Sequence, residues 1–315
     1  MYRRTGLKAG TTMTGDRQTT IARKVSCAGI GVHSGARARL TLLPAAVNTG
    51  IRFVRTDAPH GRGEILAHAE CVSDTRLGTT LSNEFDVSVA VVEHLLAAIA
   101  GLGIDNLRVE IDGPEVPIMD GSSSVFYELM MLAGLKTLGA PRRRIRILET
   151  VEVRDGPKRA SLSPSDNDVL TLRARIEYED PAIGVQQMAL RLAPGMFARD
   201  LAFARTYGFA RDVEMLRSMG LARGGSLENA VVIDENGVMN PEGLRIEDEF
   251  VRHKMLDAVG DLMLAGGPIA GDYDAVQPGH SLNNRLVRTL LASPTAWCWE
   301  EAGSPALLET VRAAV

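Results

Sequence analysis

The sequence predicts an α+β fold built as two similar halves. Three observations predict it. Several stretches alternate apolar and polar residues with the two-residue period of a half-buried strand. Two helical segments far apart in the chain echo each other, and the length of 315 residues suits about two domains.

Taken in order, residues 1–18 carry Arg and Lys but no apolar run or cleavage pattern, so they are expected to be a disordered extension rather than a signal peptide. The stretches ARARLTLLP (36–44) and GIRFVRTD (50–57) read as strands of a first unit, residues 19–140. The apolar window 89–104, VAVVEHLLAAIAGLGI, is too short and too interrupted to span a bilayer, and reads as a buried helix. An extended stretch and a second helix, VFYELMMLAGL, follow. The Pro-Arg-Arg-Arg run at 141–144 is the natural boundary with a second unit, residues 141–315. There DVLTLRARIEYED (168–180) reads as strand, and FVRHKMLDAVGDL (250–262) and HSLNNRLVRTLLA (280–292) as helices. Residues 205–240 look like an insertion: a short amphipathic helix at about 209–219, a Gly-Gly-Ser turn, and a hairpin turning at Asn236-Gly237. Val213, Leu216, Met219, Leu221 and Val232 would give it an apolar inner face, either a satellite core or a slot for an apolar ligand.

Composition excludes several classes. Lys plus Arg number 35 against 39 Asp plus Glu, a net charge of −4, which argues against a general nucleic-acid binder. Cys27, Cys71 and Cys298 have no metal-binding or disulfide spacing and suit a reducing cytoplasm. A monomer without stable membrane insertion is expected.

The chemistry starts at Glu93-His94, two polar residues alone in a run that is apolar all round. Such a helix is buried, and a buried unpaired carboxylate costs several kcal/mol. A metal ion would compensate it, or the pair could be hydrogen-bonded locally at a helix end. Neighbours on a helix point about 100° apart, so one can ligate while the other reaches past the ion to a water. His253, Asp257 and Asp261, four apart, form one stripe. That stripe is an ordinary wet face unless the repeat, which puts V-x-H at both 92–94 and 251–253, brings His94 and His253 together. Two imidazoles and one carboxylate, with a fourth position open, make a catalytic rather than structural metal set. Glu93 is then placed as general base, and His280 as proton donor held charged by Asp261. Lys254 points aside from the stripe, towards solvent or an anionic group.

The motifs VEHLLAAIAGLGIDN, PEVPIMDGSS, RTYGFARD, GLRIEDEFVRHKMLDAVGDL and GHSLNN, in order between residues 19 and 300, resemble the bacterial UDP-3-O-acyl-N-acetylglucosamine deacetylases, zinc amidases of lipid A biosynthesis. The resemblance implies two similar domains, each a sheet with two helices, packed helix layer to helix layer as a β-α-α-β sandwich. It also implies zinc (or ferrous iron) on His94, His253 and Asp257, with Glu93 as base and His280 and Asp261 as the charged pair. Thr206 would help bind the carbonyl oxygen, Lys254 a substrate phosphate, and 205–240 the acyl chain, with Asp212, Val213, Leu216 and Val232 among its contacts. Tyr178 is expected against the uracil. Tyr207 departs from the usual Phe of that motif by a hydroxyl, and His33 matches a histidine near the cleft. The implied substrate is a UDP-linked acylated amino sugar. The rival readings are a non-catalytic nucleotide-lipid binding module with a structural metal, and an amidase for another acetylated compound.

Overall fold

A computed structural model describes residues 15–302 of the chain. Six α-helices occur among them: α1 (Glu93–Gly101), α2 (Ser124–Ala133), α3 (Met196–Asp200), α4 (Ala210–Ser218), α5 (Glu249–Leu262) and α6 (His280–Leu291). The alternating stretches form the expected strands. Arg37–Pro44 and Ile51–Arg55 flank Leu107–Ile111 in a five-stranded sheet ordered Val25–Ile30, Arg37–Pro44, Leu107–Ile111, Ile51–Arg55, Glu64–Leu66. In Arg37–Pro44, Ala38, Leu40 and Leu42 are buried while their neighbours reach outward, the pleat's own alternation.

A seven-stranded sheet carries the later part of the chain. Ile269–Val276 pairs with Lys158–Ser163 on one side, and in parallel with Leu170–Glu177 and Arg143–Ile147. Apart from α3, α4 and the short strands beside them, which interrupt the second half before α5, each half runs strands, helix, strand, helix, with Leu107–Ile111 and Ile269–Val276 in equivalent places. Leu135–Pro141 pairs back to Arg17–Ile21, whereas Arg143–Ile147 already belongs to the second sheet.

The helices fix the site. α1 packs along α5, α2 lies against Val25–Ile30, and α6 lies on Val151–Asp155 and Lys158–Ser163. One continuous core joins Leu40 and Phe53 through Leu95 and Leu96 of α1 and Leu256 of α5 to Leu172 and Tyr273. Each fully buried residue of this kind contributes about 1.5–3 kcal/mol. Where α1 and α5 cross, Gly260 faces Glu93, and a Cβ at 260 would collide with the carbonyl oxygen of Glu93. The glycine is there for backbone approach.

The structure corrects four expectations. The extension does not reach residue 18: Arg17 opens a strand, and the Gln18 side chain bonds Asn48 and the Pro141 carbonyl. Residues 1–14 and 303–315 lie outside the described residues. The helix expected over 89–104 is only Glu93–Gly101, because Ser88–Val89 is a short strand and Val91 sits at φ 57. In the insertion the hairpin turns at Glu235-Asn236, since Asp234 pairs with Gly237. α4 has no buried residue, and Met219 is 62% exposed, so the helix forms no satellite core.

Candidate active site

Glu93 and His94 open α1 and are 3% and 4% exposed. A carboxylate in the first turn is favoured by the helix N-terminus. Gly78, at φ 152, leaves room for it: an added Cβ there would lie 3.0 Å from Glu93 Oε1. Across the helix pair, α5 presents His253, Asp257 and Asp261 on one face, all buried. The polar stripe is therefore interior.

The two histidines meet edge to face with ring centroids 4.9 Å apart. His94 Nε2 lies 3.5 Å and His253 Nε2 3.3 Å from Asp257 Oδ1. Ligand atoms of the three residues fall within 4.8 Å of one another. His253 Nδ1 lies 3.1 Å from the Ala204 carbonyl, which can only accept, so Nδ1 carries the proton and Nε2 offers its lone pair. Burial outweighs the pull of Asp257 and lowers the His253 pKa to about 3, so this imidazole is neutral at pH 7. Asp257 Oδ1 is buried without a hydrogen-bond partner. A buried orphan oxygen facing two imidazoles fits a metal ion. This trio could hold one.

Around the trio stand the groups expected to handle protons. Burial, the largest effect on Glu93, raises its pKa against the opposing pull of His280 and His94, which suits a base. Its Oε2 accepts the Thr79 backbone N–H at 2.9 Å. His280, first residue of α6, lies with Nδ1 2.9 Å from Asp261 Oδ2 and Nε2 3.8 Å from Glu93 Oε1. Burial alone would lower His280, but Asp261, Glu93 and Asp257 outweigh it and raise its pKa to about 10. The imidazolium is thus the neutral-pH form.

Glu93, His94, His253, Asp257 and His280 line a cavity of about 780 Å³, together with Thr206, Tyr207, Tyr178, Lys254, His33, Asp212, Val213, Leu216 and Val232. Met219 and Leu221, expected on the same inner face, do not line it; Met239 and Leu227 do. Lys254 does not simply point aside, since it donates to Asp257 Oδ2 at 3.0 Å and lies 5.5 Å from the Tyr207 ring centre. Burial lowers the ammonium's pKa, but Asp257 more than offsets this and holds it charged. The extra hydroxyl of Tyr207 meets that of Tyr178 at 3.0 Å, and the Tyr207 ring rests on Phe250. His33 donates its backbone N–H to Glu115, and its Nε2 lies 2.9 Å from the Leu77 carbonyl.

Three features escaped the sequence reading. Thr79 bonds both Glu93 and Asp261, and Asn283 donates to Asp261 Oδ2 at 2.9 Å while accepting from Tyr273. The buried Arg205–Glu249 pair, 2.9 Å apart, ties the start of the insertion to the start of α5, so that Ala204 stays over His253. Asn283 lies in the GHSLNN motif, Arg205 in RTYGFARD and Glu249 in the motif that ends in α5, so these three carried a motif signal without a stated role; Thr79 lies in none of the motifs. A second cavity, of about 420 Å³, lies by Ala100, Gly101, Val259 and Leu262 at the far ends of α1 and α5 and holds none of these groups.

The chain is similar in sequence to known proteins. A protein from Phenylobacterium zucineum is 50% identical over 280 residues, covering 89% of this chain and 95% of its own. One from Myxococcus xanthus is 51% identical over 283 residues, covering 90% and 88%. A Shewanella oneidensis relative is 47% identical over 280 residues, covering 89% and 91%. Each is named UDP-3-O-acyl-N-acetylglucosamine deacetylase. Residues 18–292, which contain the buried trio and every group around it, match the family described by the same activity, and the chain belongs to the UDP-3-O-acyl N-acetylglycosamine deacetylase family.

Proposed function

We infer that this chain hydrolyses the acetamide of a UDP-3-O-acyl-N-acetylglucosamine, releasing acetate in lipid A biosynthesis, with zinc held by His94, His253 and Asp257. The observation that carries the reading is the unpartnered Asp257 Oδ1 between two imidazoles, next to a buried Glu93. Ferrous iron would suit the same donors. A divalent ion there supplies Lewis acidity, polarising the carbonyl and acidifying a water.

The protein's own groups do the rest. Glu93, with its raised pKa, takes the proton from the attacking water. Thr206 donates towards the carbonyl oxygen as charge develops on it. As the C–N bond breaks, His280 delivers a proton from Nε2 to the departing nitrogen, while Asp261 holds Nδ1. Acetate and the free amine result. Lys254 and Tyr178 line the route for the phosphate and uracil ends, and Asp212, Val213, Leu216 and Val232 the wall for the acyl chain.

In this reading residues up to about 140 and from 141 onward form two like domains in a β-α-α-β sandwich, with α1 against α5 as its centre. The chain works as a monomer in the cytoplasm, in keeping with its free cysteines, and binds no nucleic acid. No helix among the described residues is long and apolar enough to cross a membrane. A binding module with a structural metal would need four protein ligands, whereas three cluster here among the described residues.

The test is acetate release from the acylated UDP-N-acetylglucosamine before metal removal, after it, and after zinc is restored. Activity lost and then regained is expected. A zinc-loaded protein that releases no acetate overturns the reading.

A further inference from the structure

We propose that Thr79 is a positioning residue that locks the two proton-transfer groups of this site to each other. The inference rests on the roles given above to Glu93, Asp261 and His280. Thr79 is 1% exposed, and all three of its polar groups are engaged at the site. Its backbone N–H donates to Glu93 Oε2 at 2.9 Å, and its carbonyl accepts the Val92 N–H at 3.2 Å, just before α1. Its hydroxyl donates to Asp261 Oδ1 at 2.7 Å, across 182 residues of chain. One residue therefore touches the base from one side and the histidine's carboxylate from the other.

The hydroxyl governs how Asp261 faces His280. Asp261 Oδ2 is shared by His280 Nδ1 and Asn283 Nδ2, each 2.9 Å away. With Oδ1 held by Thr79, the carboxylate plane is fixed and Oδ2 is presented to the imidazole. Without the hydroxyl, Oδ1 is a buried acceptor with no partner, which is costly, and the carboxylate can turn to seek one. His280 then loses its aim, although no group that meets substrate has been altered. Local structure gives no other use for the oxygen. Thr79 immediately precedes the short strand Thr80–Ser82, where a β-branched side chain is sufficient.

Two substitutions separate hydroxyl from shape. Thr79→Val keeps the branched side chain and the backbone bond to Glu93; Thr79→Ser keeps the hydroxyl and loses the methyl. Steady-state hydrolysis of the acylated UDP-N-acetylglucosamine is measured on the full-length, zinc-loaded protein, with bound metal and Tm recorded for each variant. Thr79→Val is expected to lower kcat about 10- to 100-fold, part of the ~10²–10⁴-fold that a positioned acid or base contributes, with KM within about twofold. Thr79→Ser should stay within about threefold of the wild type, and in an Asp261→Asn background Thr79→Val should add less than about threefold. Wild-type kcat in Thr79→Val, an equal loss in Thr79→Ser, or a loss that tracks lost metal or lowered Tm overturns the inference. An active wild type with an inactive Glu93→Gln and an unaffected Thr79→Val refutes the Thr79 role alone. An inactive wild type removes the functional reading and this role with it.

Discussion

The floor of the cavity and the wall supplied by residues 205–240 are built on opposite terms. On the floor, Glu93, His94, His253 and Asp257, with Asp261 bonded to the lining residue His280, are each at most 4% exposed, held by two helices at close approach. Asp261 receives three donors, and His253 is turned by a backbone carbonyl. On the wall, α4 has no buried residue, and the sheet beside it is three short strands. Groups that move protons need dry, fixed positions good to fractions of an ångström. A surface for an apolar chain needs only shape and the absence of competing polar groups. The difference predicts which substitutions stop the chemistry and which only reset substrate preference.

The largest effect belongs to the floor. Glu93→Gln keeps the side chain's size and removes the base, and should lower kcat by about 10²–10⁴-fold with metal content unchanged. A variant keeping more than a tenth of the rate would break the contrast. A second effect concerns pH. His280 is raised above its ordinary value, so its charge and the stability it lends are fully present below about 6.5 and are lost as pH rises through about 10. Activity that needs the charged ring should fall on that alkaline side. Asp261→Asn removes the strongest charge partner and should move the limb down by about one unit or more, read from kcat against pH. The smallest effect belongs to the wall. Leu216→Trp should raise KM for a long-chain substrate on the order of 5- to 10-fold while sparing kcat for a short-chain one. Equal losses with both substrates would show that the wall is coupled to the floor.

The floor was largely legible in the sequence, for a physical reason. A Glu-His pair inside an all-apolar run is an anomaly that burial alone cannot tolerate, and the four-residue spacing of His253, Asp257 and Asp261 forces them onto one helix face. Strands such as Arg37–Pro44 declared themselves by alternation. Thr79 did not, because its meaning lies in a contact 182 residues away and a threonine before a strand is unremarkable. Of the apolar face expected of residues 205–240, Val213 and Leu216 line the cavity but Met219 and Leu221 do not, for the complementary reason. Helical periodicity marks an apolar face without saying whether anything covers it, and Met219 is 62% exposed. The turn at Glu235-Asn236 was displaced by one residue because Asn-Gly marks a tight turn more reliably than it marks the register.

Gly260 is not one of the three clustered ligands and does not line the cavity, yet its close approach to the Glu93 backbone sets the gap across which His94 and His253 face each other. Adding a single methyl there would drive α1 away from α5, and a metal's bond lengths tolerate a spread of only about 0.2 Å. Position 260 is thus closed to mutational drift as firmly as a ligand is. A lineage under pressure to reshape this pocket, whether by a new acyl chain or a toxic mimic of the substrate, has the exposed wall free to vary and the helix crossing barred.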